Sequence, residues 1–147
     1  MNHIVALDSG AKEIENLLTG AKSMIIHGAD VKCGPYGRVT EGDILYFVSN
    51  DNRTKVKARG FVSSVYNSHP LTEAESFELI IRNQDKLALP DDLFYKWAGK
   101  KFIVLIGLMN VTEVQPSLID RSNLLSEDDW RAIGNVEFSF LRNRKTA

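Results

Sequence analysis

A scatter of cations beside one aromatic ring is the first hint of chemistry in this chain. Lys55, Lys57 and Arg59 recur at every second residue with no acid between them. Side chains of an extended strand repeat every two residues, so these cations share one face. Three such contacts to phosphates of a single strand would give a salt slope of roughly −2. The stripe equally suits a solvated edge strand, whose lysines prevent edge-to-edge pairing. Tyr36 and Arg38 lie among Gly34, Pro35 and Gly37, a setting in which a ring stacks on a base while the cation meets a phosphate. A tight turn with Tyr36 folded back on the core fits the same residues. Lys22 follows a helix C-terminus, where the helix dipole favours a cation and where a phosphate or base is also within reach.

Other chemistries find less support. Trp97 and Trp130 fall on apolar helical faces and are expected to pack in the core rather than to stack on a ligand. His27, His69 and Cys33 include no close ligand pair, so no metal site is expected. The chain has no glycine-rich phosphate loop, no serine elbow and no paired carboxylates at catalytic spacing. A nucleophile without a positioned base is not activated. Catalysis is therefore the weaker expectation, and no cofactor is expected.

Composition sets the frame for these residues. A chain of 147 residues with 44% apolar and 25% charged side chains buries a core as one domain, read here as residues 1–147. Net charge is −1, so attraction to nucleic acid must come from local patches rather than from the whole surface. The lone Cys33 forms no internal disulfide, and no charged-then-apolar leader follows Met1. Both point to a reducing, cytoplasmic setting. The longest apolar run, Phe102 to Met109, is too short to span a bilayer, so no membrane partner is expected.

The elements that must position the candidates follow from periodicity. His3 to Leu7 reads as a strand, and Ser9 as the N-cap of a helix carrying Ile14, Leu17 and Leu18 that Gly20 ends. Met24 to Ile26 is a short strand, and Asp30 to Gly42 a loop. Asp43 to Ser49 and Thr54 to Tyr66 are strands, the second with a bulge expected at Gly60. Thr72 and Glu75 make a capping box for the next helix. Pro90 to Trp97 is a short helix, and Phe102 to Met109 a strand buried on both sides, extended by Val111 to Val114. Ser126 to Trp130 reads as a short helix stopped by Gly134, and Val136 to Leu141 as a closing strand. This order predicts an α+β fold: a small, mostly antiparallel barrel with flanking helices.

The first half of the chain resembles the PUA-like superfamily, nearest to its ASCH and EVE-type branches. The resemblance is carried by Gly20-Ala21-Lys22 closing the first helix, by Glu41-Gly42-Asp43-Ile44-Leu45 opening a strand, and by the strand Thr54 to Val65. The ASCH pattern continues from glycine–any–lysine to a glutamate and an arginine, whose positions are Ile25 and His27 here. The resemblance implies a PUA-like β-barrel with a cleft beside its first helix that binds RNA or a modified nucleobase. Lys22, Tyr36, Arg38, Lys55, Lys57 and Arg59 are the candidate contacts for such a ligand. One ASCH branch resembles an amidohydrolase acting on acylated cytidine through a lysine, a hydroxyl residue and a glutamate. Lys22 matches its lysine, Ile25 replaces its threonine, and Ser23, Glu73 and Glu75 are the nearest substitutes. A third reading is a protein-interaction domain whose stripe meets an acidic partner.

Overall fold

The structure, a computed structural model, describes residues 1–119, 125, 129–133 and 140–141. Strand β1 (Asn2–Leu7) leads into helix α1 (Glu13–Thr19), then strands β2 (Met24–Ala29), β3 (Ile44–Ser49) and β4 (Lys55–Asn67). Helices α2 (Glu73–Arg82), α3 (Gln84–Leu87) and α4 (Asp91–Trp97) precede the long strand β5 (Phe102–Ile119) and the short strands β6 (Trp130–Ile133) and β7 (Phe140–Leu141). One curled mixed sheet runs β2-β5-β4-β3-β1-β6, with β7 paired to β5. Only the β1–β3 pairing is parallel among these; the rest are antiparallel. Sheet and helices together make an α+β half-barrel. Among the described residues no helix is long and apolar enough to cross a membrane.

The local signals explain most of these elements. β5 pairs with β2 and β4 along its edges, and its apolar run from Ile103 to Leu108 is buried on both faces: Val104, Ile106 and Leu108 share a cluster with α1, while Ile103 and Leu105 pack under α2, α3 and α4. β4 alternates as its sequence requires: Lys55, Lys57 and Arg59 are exposed while Val56, Ala58 and Gly60 are buried. Its pairing with β5 shifts register between Arg59 and Phe61, at the glycine where a bulge is expected. Thr72 caps α2, accepting from Glu75 N–H at 3.1 Å while Glu75 accepts from Thr72 N–H at 2.8 Å. Gly20 ends α1 in the left-handed region, at φ 86°.

Two expectations are corrected. Ser9 does not cap α1. The N-cap position is Lys12, and Asp8 ties down the entry by accepting the Ala11 N–H at 2.8 Å. Trp130 is not helical: it opens β6, where its backbone pairs with Val5 of β1. The acids before Trp130 suggested a helix start, but a sheet edge offering backbone partners outweighs that local preference. Residues 126–128 and Gly134, and residues 136–139 of the expected closing strand, lie outside the described residues.

Among the described residues the core has three parts, each built on the sheet. One packs α1 against the inner face through Leu17, Ile25, Phe47 and Val104. A second joins β1, β3 and β4 through Ile4, Val48 and Val56. The third seats α2, α3 and α4 on β2 and β5 through Ile80, Leu87, Leu93 and Ile103. Between the first and third parts the helices leave a gap, and the polar residues of interest collect there.

Candidate functional site

The gap is a cleft of about 100 Å³ bounded by the end of β1, the start of α1, β2, α4 and the entry to β6. It adjoins a larger hollow of about 430 Å³, and the two share His27, Asp129 and Trp130. Trp97 from α4 and Trp130 from β6 give the cleft aromatic walls, while Asp8, Glu13 and Asn50 give it hydrogen-bonding groups. Apolar walls with a few placed polar groups are the usual make-up of a small-molecule pocket.

Behind the cleft stands a buried ion pair. Glu13 lines the cleft, and its Oε2 lies 3.2 Å from Lys22 Nζ while its Oε1 accepts the Asp8 N–H at 2.9 Å. Lys22 is only 2% exposed and also donates to the Leu87 carbonyl. Burial pushes the Lys22 ammonium below its ordinary pKa, against the upward pull of Glu13. The chain turns back at Gly20, which is why a residue just past the end of α1 meets one at its start.

A second network fixes Trp130. Its indole N–H donates to His3 Nδ1 at 3.1 Å, and His3 Nε2 lies 2.9 Å from Asp43 Oδ2. An indole nitrogen only donates, so Nδ1 is the acceptor and the ring proton sits on Nε2, donated to Asp43. Asp43 also accepts from Thr40 N–H at 2.9 Å and from the Met1 ammonium at 3.0 Å. Burial by itself would raise the Asp43 carboxyl, but His3, Thr40 and the Met1 ammonium hold it below its ordinary value.

At the mouth, Asp129 joins two cations. Its Oδ1 accepts from Arg53 at 2.9 Å and its Oδ2 lies 3.8 Å from Lys96 Nζ. Lys96 also sits 4.6 Å from the centre of the Trp97 ring, and His27 packs against the same ring at 5.6 Å. Burial lowers the His27 pKa; Asp129 pulls it up and Lys96 pushes it down. Gly34 closes over the His27 ring, where a Cβ would lie 3.0 Å from ring atoms and φ is 61°. A side chain there meets both obstacles.

The residues expected to bind a ligand go to separate places. Lys22 is interior and touches protein groups. Tyr36 folds back on the core: its hydroxyl donates to the Ser68 carbonyl at 2.5 Å and its ring meets Phe102 edge-on at 5.5 Å. Arg38 is exposed and lines the larger hollow, as does Arg131. Lys55, Lys57 and Arg59 share one exposed face of β4, and Lys57 borders a depression that shares Leu7 and Asp8 with the cleft. Glu73 and Glu75 lie on exposed α2, apart from the cleft lining. Trp97 and Trp130 are half-buried, each packing on the core and lining the cleft, so the expectation of core packing holds only in part.

The sequence reading missed Glu13, Arg53, Lys96 and Asp129 as site residues, and weighed His27 only as a metal ligand. For His27 a signal existed. It occupies the arginine position of the ASCH pattern, Ile25 occupies the glutamate position, and both line the cleft.

No sequence family and no curated protein matches the chain. Solved structures do match. The crystal structure of ASCH from Zymomonas mobilis superposes with TM-score 0.65 at 11% identity, over 99% of this chain and 90% of that one. Two point mutants of that protein give TM-scores of 0.65 and 0.63 at 10% identity, again over 99% of this chain and over 93% and 91% of theirs. The fold is that of an ASCH domain, a PUA-like architecture.

Proposed function

We propose that the chain is a nucleic-acid-binding module that takes one base of an RNA, or a modified nucleotide, into the cleft between its sheet and helices. The observation that carries this reading is the meeting of Trp97, Trp130, Asp8, Glu13 and Asn50 around one cleft. Flat aromatic walls accept the face of a base, and fixed polar groups read its edge. Arg38 and Arg131, in the adjoining hollow, are placed for the phosphate that leads away from it. The stripe of Lys55, Lys57 and Arg59 supplies long-range attraction along a neighbouring face. The resemblance carried by Gly20, Lys22, Gly42 and Asp43 points to the same ligand class.

The test is a titration of labelled single-stranded RNA at two salt concentrations. Trp130→Ala should weaken binding and reduce the change in tryptophan fluorescence to the part contributed by Trp97. Charge reversal of Lys55, Lys57 and Arg59 should weaken binding and flatten the salt slope by roughly 2. Binding indifferent to Trp130 and to Arg38 removes the reading.

One observation favours a second reading, a small hydrolase acting on a nucleoside-like amide. Lys22 pairs with Glu13, and that carboxylate faces the cleft. It weighs less, because the Lys22 ammonium is not among the cleft-lining groups. Incubation with acylated nucleosides checks it; absence of turnover that depends on Glu13 dismisses it.

A further inference from the structure

We propose that the mouth of the cleft is a phosphate site built by Arg53 and Lys96 and filled, in the free protein, by the carboxylate of Asp129. The proposal rests on the nucleotide reading above and deepens it: the ligand is a phosphorylated nucleotide or an RNA backbone, not a free base or nucleoside.

The geometry is that of an anion clamp. Arg53 comes from the turn before β4 and Lys96 from α4, so two elements far apart in the chain aim cations at one point. Asp129 meets them with one oxygen each: Oδ1 at 2.9 Å from Arg53 and Oδ2 at 3.8 Å from Lys96. A phosphate offers the same pair of separated acceptors, with a further oxygen and more charge, and the guanidinium plane suits it.

The present occupant is easily displaced. The Asp129 side chain is 33% exposed, with Arg53 at 24% and Lys96 at 50%, and ion pairs this open to water are weak. Only a side-chain rotation is needed. The Asp129 carbonyl accepts the Ala6 N–H at 2.9 Å and Trp130 stays paired with Val5, so β6 need not move. Lys96 also lies over the Trp97 ring, which places a phosphate held there beside the wall that receives the base. Asp129 thus acts as an internal stand-in for the ligand's phosphate and raises the threshold for weak anions.

The test follows the indole N–H signals of Trp97 and Trp130 by NMR while inorganic phosphate is added at constant ionic strength. The four common nucleosides and their 5′-monophosphates are then titrated in the same way. Saturable phosphate binding is expected, about tenfold tighter in Asp129→Asn, where the competing charge is gone. Lys96→Gln should weaken phosphate binding about tenfold; its side chain is half exposed, so this variant tests the site even if Asp129→Asn fails to fold. The 5′-monophosphates should exceed their nucleosides in affinity by a similar factor. Unsaturable phosphate, or affinities unchanged in Asp129→Asn and Lys96→Gln, overturns the proposal. Phosphate binding without any preference for a nucleotide leaves the anion site standing and defeats the base pocket. Nucleosides binding as tightly as their monophosphates does the reverse.

Discussion

Two ion pairs border the same cleft and are built from the same chemistry, yet they are suited to opposite tasks. Lys22 and Glu13 are almost wholly buried, their side chains 1% and 11% exposed, and each has one further partner, the Leu87 carbonyl for Lys22 and the Asp8 N–H for Glu13. Asp129 with Arg53 and Lys96 stands at the mouth, with every partner partly wet. In a dry site, removing one charge strands the other, so the pair fixes its surroundings. At a wet mouth the same pair is close to neutral in energy and its members can change partners. Burial, rather than residue type, sets how freely the members of a pair can exchange partners.

The largest effect should therefore come from breaking the buried pair. Lys22→Met leaves the Glu13 carboxylate unpaired and should cost about 3–5 kcal/mol in chemical denaturation at neutral pH. Adding Glu13→Gln should restore much of the stability, since no charge then remains buried. A single Lys22→Met variant as stable as wild type would show that the pair does not hold its surroundings in place.

Asp43, tied to the cleft through His3 and Trp130, sharpens the contrast. Asp43→Ala leaves the buried His3 Nε2–H and the Thr40 N–H without acceptors, at a cost of about 1–3 kcal/mol. The effect should reach Trp130 through His3 and alter its near-ultraviolet circular dichroism. The folded-state pKa of Asp43 lies below the ordinary 3.8. Its contribution is thus fully present above that value and is lost as pH falls through the folded pKa. The stability gap between wild type and variant should close in that acid range. Asp129→Asn, by comparison, should change stability by less than about 1 kcal/mol.

The same distinction explains how much the sequence disclosed. Elements written into a local pattern were legible: the alternation of Lys55 to Gly60, the Thr72–Glu75 capping box and the stop at Gly20 each depend on neighbours a few residues away. Lys22 was legible as a residue of interest, but its direction was not. That depends on the chain doubling back so that Glu13 and Leu87 enclose it. Trp130 was misread because its strand exists only by pairing with β1. Arg53, Lys96 and Asp129 come from three distant segments with no common spacing, so only the folded chain brings them together. The two departures from the family pattern, Ile25 and His27, were the one sequence clue to the cleft itself. Unlike a lost residue on the surface, each lines the cleft.

The smallest expected effect is also the most local, and it reads the mouth directly. His27 lines the cleft with the two charges whose balance is at issue: burial lowers its pKa, Asp129 opposes that, and Lys96 adds to it. A histidine lowered on folding stays neutral in the native state while the unfolded chain takes up protons near its ordinary 6.5. Native stability should accordingly decline as pH drops below 6.5, and stop declining once the folded pKa is passed. Followed by NMR, the His27 ring should titrate below 6.5 in the wild type, lower still in Asp129→Asn, and higher in Lys96→Gln. Bound phosphate brings negative charge to the same place, so it should raise the titration midpoint of Asp129→Asn back toward the wild-type value. A midpoint that ignores all three changes would mean that Asp129 and Lys96 are too well screened by water to act on the cleft. The mouth would then be ordinary surface.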